Sequence, residues 1–533
     1  MATYYIDPAG TDGAAISGDI SHPFKTLSYA CSRAATVGDI IHVNAGTYYC
    51  STQGSLRAGV TIEGDGPTSI LVGTETDTYF RILNLYSSTQ GTDGNQEIRN
   101  LRFEGNLTAW MAIYVSQRSN VKIHDCEFYQ FKSYALMMKG RDSSGQPSTY
   151  ATGNELYNNS IVDCAEDDYN ETYSAWFATG LIGIGGQDGM LIYNNVFDGV
   201  TGGRHGYGIK SAADGYNRGI KMYDNELKVN YSRGTSGSWD FALEFWNTQG
   251  GIEFYRNEVE GGLDFGGTST TDPYGYGYAV KIYENEFGRE VTSNISEVAF
   301  TIESTQSGGF YVFRNKIKNM SSPVRHYQSG TASVSDIYFS YNIFTNIRRN
   351  SSTGGLCTFG ATENTNYTNI GWYNNTIYNS SQTLEYFFKG EDPQCNFINV
   401  ELTNNIIVGA VSPIRFLNVD IGTLKVENNL YYNCGSTSPY FYNSTPDTYV
   451  NQDNIISDPL MVGGNPYNFA LLSSSPAIDM GKTITSISLS VDYDSVSIPI
   501  GSAPDIGAYE YYDEIIPDYI EINKARIVKF YTA

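Results

Sequence analysis

Histidine is scarce in this chain: five in 533 residues, at 22, 42, 124, 205 and 326, and none stands at metal-ligand spacing. Cysteine is sparse too. The seven thiols form no C-x-x-C pair, so neither a zinc site nor a disulfide framework is indicated. Cys31 and Cys50 are placed to bridge within the first module, and the others read as small buried apolar residues. Positive charge is short, with 33 Lys and Arg against 57 Asp and Glu and a net charge of −24. That argues against nucleic acid and anionic membrane as partners, and against a highly anionic glycan unless metal ions bridge the charges. No apolar run approaches the length of a membrane span. Helical periodicity is almost absent, and there is no phosphate-binding loop, nucleophile elbow or dinucleotide fingerprint.

What the chain has is tyrosine, asparagine and a repeat. The 44 Tyr, with Asn, Ser, Thr and Gly, form the composition of a sugar-facing surface, and equally that of β-sheets. The phrase GIKMYDNEL at 219–227 is a short strand, a turn at Asn225 and a new apolar residue. It returns as LIYNNVF, IEFYRNEV, VKIYENEF, FYVFRNKI, IYFSYNIF, IGWYNNTI, VELTNNII and LKVENNLY. Aligned with the looser copy ELYNNSI, these place Asn at 159, 195, 225, 257, 285, 315, 342, 375, 405 and 429, with gaps of 24 to 36 residues. Such a period marks a solenoid. Asn fits a stacked turn because it tolerates left-handed backbone and its amides can bond to one another.

Four segments follow. Residues 1–50 read as a cap, with an amphipathic helix whose face is Phe24, Leu27, Ala30, Cys31 and Ala34. Residues 51–435 are the repeat body, of about a dozen coils and a length on the order of 55 Å. Residues 436–513 form a separate β module and 514–533 a tail. Insertions at 141–152, 165–177, 231–240, 266–278 and 360–368, rich in Tyr, Ser, Gly and Asp, are where function concentrates.

YYIDPAG, PFKTLSYA and GDIIHVNAGTYY resemble the N-terminus of secreted and phage β-helix proteins of the pectate-lyase-like superfamily. DPL, SPAIDMG and DIGAYEY, in that order, resemble the "choice-of-anchor" segment that follows bacterial parallel β-helices. The resemblance implies an all-β, right-handed parallel β-helix in an extracellular or cell-surface setting. The handedness also follows from the crossover rule. Met1-Ala-Thr-Tyr-Tyr opens directly in structure, so the expectation is an export signal trimmed away or release in a virion.

The strand before each Asn gives the chemistry. Aligned, these strands offer outward positions at Lys210, Glu244, Asp264, Glu303, Arg325, Cys357, Lys389 and Arg415, with Tyr114 and Lys139 earlier. In register, Glu244, Asp264 and Glu303 stack in consecutive coils about 5 Å apart, spacings that bracket those of retaining and inverting glycosidases. Stacked acids raise one another's pKa and so supply a general acid. A row of charge also reads as a solvated sheet face. Lys210, Arg325, His326 and Lys139 are placed to hold substrate, and Trp246 and Trp239 to stack on a sugar ring.

A second constellation is Glu166-Asp167-Asp168, whose oxygens suit Ca²⁺, with Arg204, His205 and Lys210. There Lys210 would act as the base of a β-elimination. GYGIKS resembles the Lys-Ser segment of the chondroitinase B and alginate lyase family, whose Arg segment one coil later is missing. RHG is similar to the Gly-His-Gly of polygalacturonases, whose Asn-Thr-Asp and Asp-Asp are absent. An acid run is equally a solvated loop. Three functions stand: an endo-acting glycoside hydrolase needing no cofactor, a Ca²⁺-assisted polysaccharide lyase, and a non-catalytic tailspike-like or glycan-binding rod, monomeric or trimeric.

Overall fold

The computed structural model describes residues 1–512 except 78, 166–179, 202–206, 230–240, 289–297, 304, 321, 327–331, 348–354, 361–363, 380–383 and 464–467. Each repeat closes one turn of a parallel β-helix. One turn runs through strands Lys221–Tyr223, Glu226–Lys228 and Phe241–Trp246, and the next begins at Ile252–Tyr255. Stacked turns build sheets of 18, 15 and 14 strands among the described residues, and every pairing within them is parallel. Register runs residue on residue: Met222 pairs with Phe254, Leu227 with Val259 and Leu243 with Leu263. The inward residues form one continuous apolar core from Ile6 to Tyr431. Each fully buried Leu, Ile or Phe contributes about 1.5–3 kcal/mol, so a rod without a globular centre is held by its axis.

The asparagine column is a hydrogen-bonded ladder. Asn225 Nδ2 donates to Asn257 Oδ1 at 3.0 Å, and also to the carbonyls of Tyr223 and Ile192. The same bond joins 159 to 195, 285 to 315, 342 to 375 and 405 to 429. Left-handed backbone, however, falls on the residue before each Asn: Asp224, Arg256, Glu284 and Arg314 have φ of 55°, 53°, 57° and 54°. From Asn159 onward the Asn recurs in each turn for its amide, since the left-handed position tolerates Arg and Glu; Cys126 holds its place in the turn before, donating its backbone N–H to Asn159 Oδ1 at 3.1 Å. Asn257→Ala leaves buried donors and acceptors unpaired on both sides. It is expected to cost on the order of 3 kcal/mol, read as a lowered guanidinium midpoint, whereas Arg256→Asn at the left-handed position stays within about 1 kcal/mol.

The ends differ from expectation. The helix Leu27–Arg33 is shorter than the apolar face that announces it, and Phe24 precedes it. Thr26 caps it by accepting from Tyr29 N. Cys31 and Cys50 are both free thiols, as are the other five, and burial pushes both up to about 12. The helical stack does not stop at 435. Strands Tyr440–Tyr442, Pro446–Gln452 and Ile455–Ile456 add a further turn, and the ladder continues from Asn429 to Asn454 at 3.2 Å.

The segment beyond then folds back onto the outer face of the 15-stranded sheet. Ala477 and Ile506 pack on Ile406, Val408 and Leu430. Ala508 N donates to Thr376 Oγ1 at 3.0 Å, and Asn374 Nδ2 to Asp505 O at 2.8 Å. These are the residues of SPAIDMG and DIGAYEY. Strands under this brace, such as Ile343–Thr345 and Ile406–Val408, are buried on both faces, whereas Glu226–Lys228 is buried on one.

Candidate active site on the 14-stranded sheet

Alternation fixes the site. Ile209, Leu243, Leu263, Phe300, Val324, Cys357, Phe388 and Ile414 pair in one column and face the core. One residue on, the outward column reads Lys210, Glu244, Asp264, Thr301, Arg325, Thr358, Lys389 and Arg415. Tyr114 belongs to the same column three strands before Lys210.

Three expected members are displaced. Cys357 faces inward and Thr358 takes the outward place, a slip of one residue. Met137 holds the position expected for Lys139, which stands two residues further along its strand. There Lys139 Nζ donates to the Tyr114 hydroxyl at 3.3 Å, away from the acids. Thr301 holds the position expected for Glu303.

Glu303 still faces outward, because it lies two residues on. Its side chain returns toward the acids: a β-carbon at Gly266 would stand 3.1 Å from Glu303 Oε2 and 3.4 Å from Trp246 Nε1. Trp246 and Gly266 are register partners, so the missing side chain at 266 makes the space in which Glu303 and Trp246 converge.

The charges interlock. Lys210 Nζ lies 2.6 Å from Glu244 Oε2, with both side chains buried. The same ammonium sits 4.0 Å from the Tyr207 ring centroid and 5.9 Å from that of Trp246. Arg325 Nε donates to Thr301 Oγ1 at 3.3 Å. Asp264 is 1% exposed and lies next to Glu244 in the column. Burial, then the charges of Glu303 and Glu244, hold its carboxyl well above the usual range against the pull of Arg325 and Lys210. Burial and the Glu244 charge push Glu303 up to about 7, opposed by the same two cations. Among the described residues, Asp264 Oδ1 and Trp246 Nε1 are buried without a hydrogen-bond partner.

His326, read as a substrate contact, lies in the inward column beside Phe359. Its Nδ1 is 2.7 Å from the hydroxyl of Tyr367, a core residue, so alternation turns it away from any ligand on the outer face. Trp239, Arg204, His205, Glu166, Asp167 and Asp168 lie outside the described residues. Among the described residues no group of three or more His, Cys, Asp or Glu is close enough to hold a metal ion, and no helix is long and apolar enough to cross a membrane. Sequence reasoning missed Tyr207 and Thr301. GYGIKS carries Tyr207 in plain view, but its ring contact with Lys210 depends on local strand geometry that spacing does not give.

These stacked parallel sheets define a parallel β-helix protein. No family model and no curated protein matches the chain. Solved structures do. A complex of XylC with xylose aligns over 96% of this chain and 98% of its own, at 11% identity and a TM-score of 0.42. An alginate lyase from Paenibacillus sp. str. FPU-7 covers 65% of this chain and 97% of its own, at 17% identity and 0.38. The Dettilon tailspike protein covers 82% and 68%, at 12% identity and 0.33.

Proposed function

We propose that this protein is a carbohydrate-active enzyme that hydrolyses an extracellular or cell-surface polysaccharide. The observation that carries the reading is the convergence of three carboxyl groups with Lys210 on one outward face, where burial and mutual charge raise Asp264 and Glu303 above the usual carboxyl range. Glu303 donates a proton to the glycosidic oxygen, since an acid near pH 7 keeps its proton where the reaction runs. Glu244, fixed by Lys210, supplies the carboxylate that activates water or attacks the anomeric carbon. Asp264, buried beside Glu244 and raised by burial and by both glutamates, keeps the row from carrying three negative charges. Trp246 offers an apolar surface beside Glu303 for a sugar ring, and the net charge of −24 favours a neutral glycan.

The lyase reading is weaker. Its base, Lys210, is engaged with Glu244 at 2.6 Å. Incubation with a panel of polysaccharides separates the readings. Hydrolysis releases new reducing ends with no ultraviolet chromophore and continues in chelator. Unsaturated, ultraviolet-absorbing ends would replace it with the lyase reading, and retention of glycan without either product with the binding rod. The anomer first formed, read by NMR, tells whether Glu244 activates water or attacks carbon.

A further inference from the structure

A second concave site lies at the corner where the chain leaves the 14-stranded sheet for the 18-stranded one. Its volume is about 560 Å³, and Gln146, Tyr150, Asp188, Arg218 and Tyr274 are among its walls. Two insertions singled out in the sequence, 141–152 and 266–278, bring Gln146, Tyr150 and Tyr274 to it. The row from Lys210 to Arg325 does not use it: Arg218 lies eight residues past Lys210, beyond a turn whose residues Ala213, Asp214 and Tyr216 are left-handed.

The walls are fixed before any ligand arrives. The Arg218 guanidinium carbon lies 3.9 Å from the ring centroids of both Tyr150 and Tyr274. Arg218 Nη2 donates to Asp188 Oδ2 at 2.8 Å, and Tyr276 OH donates to Asp188 Oδ1 at 3.2 Å. Tyr150 OH donates to Gln249 Oε1 at 2.5 Å, and Gln146 Nε2 to the Tyr274 oxygen at 3.2 Å. Ordering these side chains therefore costs little on binding. Tyr274 nonetheless stays 47% exposed, and Arg218 keeps guanidinium N–H groups beyond its bond to Asp188.

We propose that this cleft binds a neutral polysaccharide chain, separately from the acid row. An exposed tyrosine ring beside planar amide, carboxylate and guanidinium groups matches a pyranose: C–H bonds stack on the ring, and ring hydroxyls pair with the planar groups. Asp188 cancels the charge of Arg218, so an anionic sugar gains no net attraction there, and the acidic chain repels a polyanion. The proposal rests on the carbohydrate reading above and adds to it a site that tethers long chains.

Affinity electrophoresis of the full chain through gels containing xylan, hydroxyethylcellulose or galactomannan tests it, with alginate as the anionic control. The expected result is retardation by a neutral polysaccharide and none by alginate. Tyr274→Ala weakens it about tenfold. Tyr274→Phe keeps it, because the ring remains. Reducing-end release from a short oligosaccharide stays unchanged in Tyr274→Ala, while KM for the long polymer rises. Equal retardation of Tyr274→Ala and the unaltered protein overturns the proposal, as does absence of retardation in every neutral gel or preference for alginate. The catalytic reading fails separately, if no reducing ends appear from any polymer.

Discussion

Glu303→Gln is expected to lower kcat by about 100- to 10,000-fold and to remove the alkaline limb of the pH–rate profile. In the hydrolase reading the unaltered protein should lose activity as pH rises through about 7, where burial and Glu244 place the Glu303 carboxyl. Below that pH the acid carries the proton that the leaving oxygen needs, and above it the proton is gone. Glutamine has none at any pH, so residual activity becomes flat in this range. Glu244→Gln supplies the cross-check. It removes the second-largest cause of the upward shift and leaves the pull of Arg325 and Lys210, so the Glu303 limb moves to lower pH. Stability follows the same sign. A carboxyl raised from 4.5 to about 7 holds more protons folded than unfolded between those values, so its contribution is full below 4.5 and is lost as pH rises to 7. Glu303→Gln should flatten that fall in melting temperature. An alkaline limb that survives unchanged in Glu303→Gln sinks the assignment.

The fold was legible because one residue type recurs turn after turn from Asn159 onward. Asn225 and its counterparts each satisfy the backbone of two turns, so their spacing measures the coil even where the loops differ in length. The same logic misplaced the end of the helix. The break at 435 followed the last aligned Asn, Asn429, and the anchor-like pattern of the segment beyond, yet the ladder reaches Asn454. What changes there is the exposure of the turns: Tyr440, Tyr442 and Tyr449 are 47%, 52% and 41% exposed, so their strands no longer carry the apolar signature of a coil buried from both sides. A signal for the brace was present in NIFT and NIIV, apolar where the earlier turns carry NELK and NEVE, because Ala508 and Phe469 cover Ile343 and Ile506 and Ala477 cover Ile406 and Val408.

The site was half legible for a related reason. Alternation is reliable within a strand, and it brought Lys210, Glu244, Asp264, Arg325, Lys389 and Arg415 into one column. It failed where the strand is short. Phe300–Ile302 has three residues, and the Ile-Glu-Ser that matched its neighbours in type begins at its last residue. Glu303 returns to the acids only because Gly266 leaves room, a fact of three dimensions. His326 shows the converse: a chemically attractive residue next to an outward Arg325 must, by the same alternation, point inward.

Lys210→Met is expected to cost about 3–5 kcal/mol in stability, because it leaves the buried Glu244 carboxylate without its partner at 2.6 Å. Lys210→Met with Glu244→Gln should recover most of that loss. The pair then holds no charge, and a buried ion pair replaced on both sides is often near neutral. The two single variants and the double form a cycle whose interaction energy isolates the ion pair from the packing of Lys210 on Tyr207. Activity divides differently from stability. In the hydrolase reading the double variant is stable and inactive, since Glu244 is the carboxylate that the reaction uses. With Lys210 as the base of an elimination, Lys210→Met alone abolishes ultraviolet-absorbing products, whereas Glu244→Gln frees the amine and keeps them. Recovery of folding together with recovery of hydrolysis in the double variant would place the reacting carboxylate elsewhere, and Asp264 with Glu303 would remain as the pair to test.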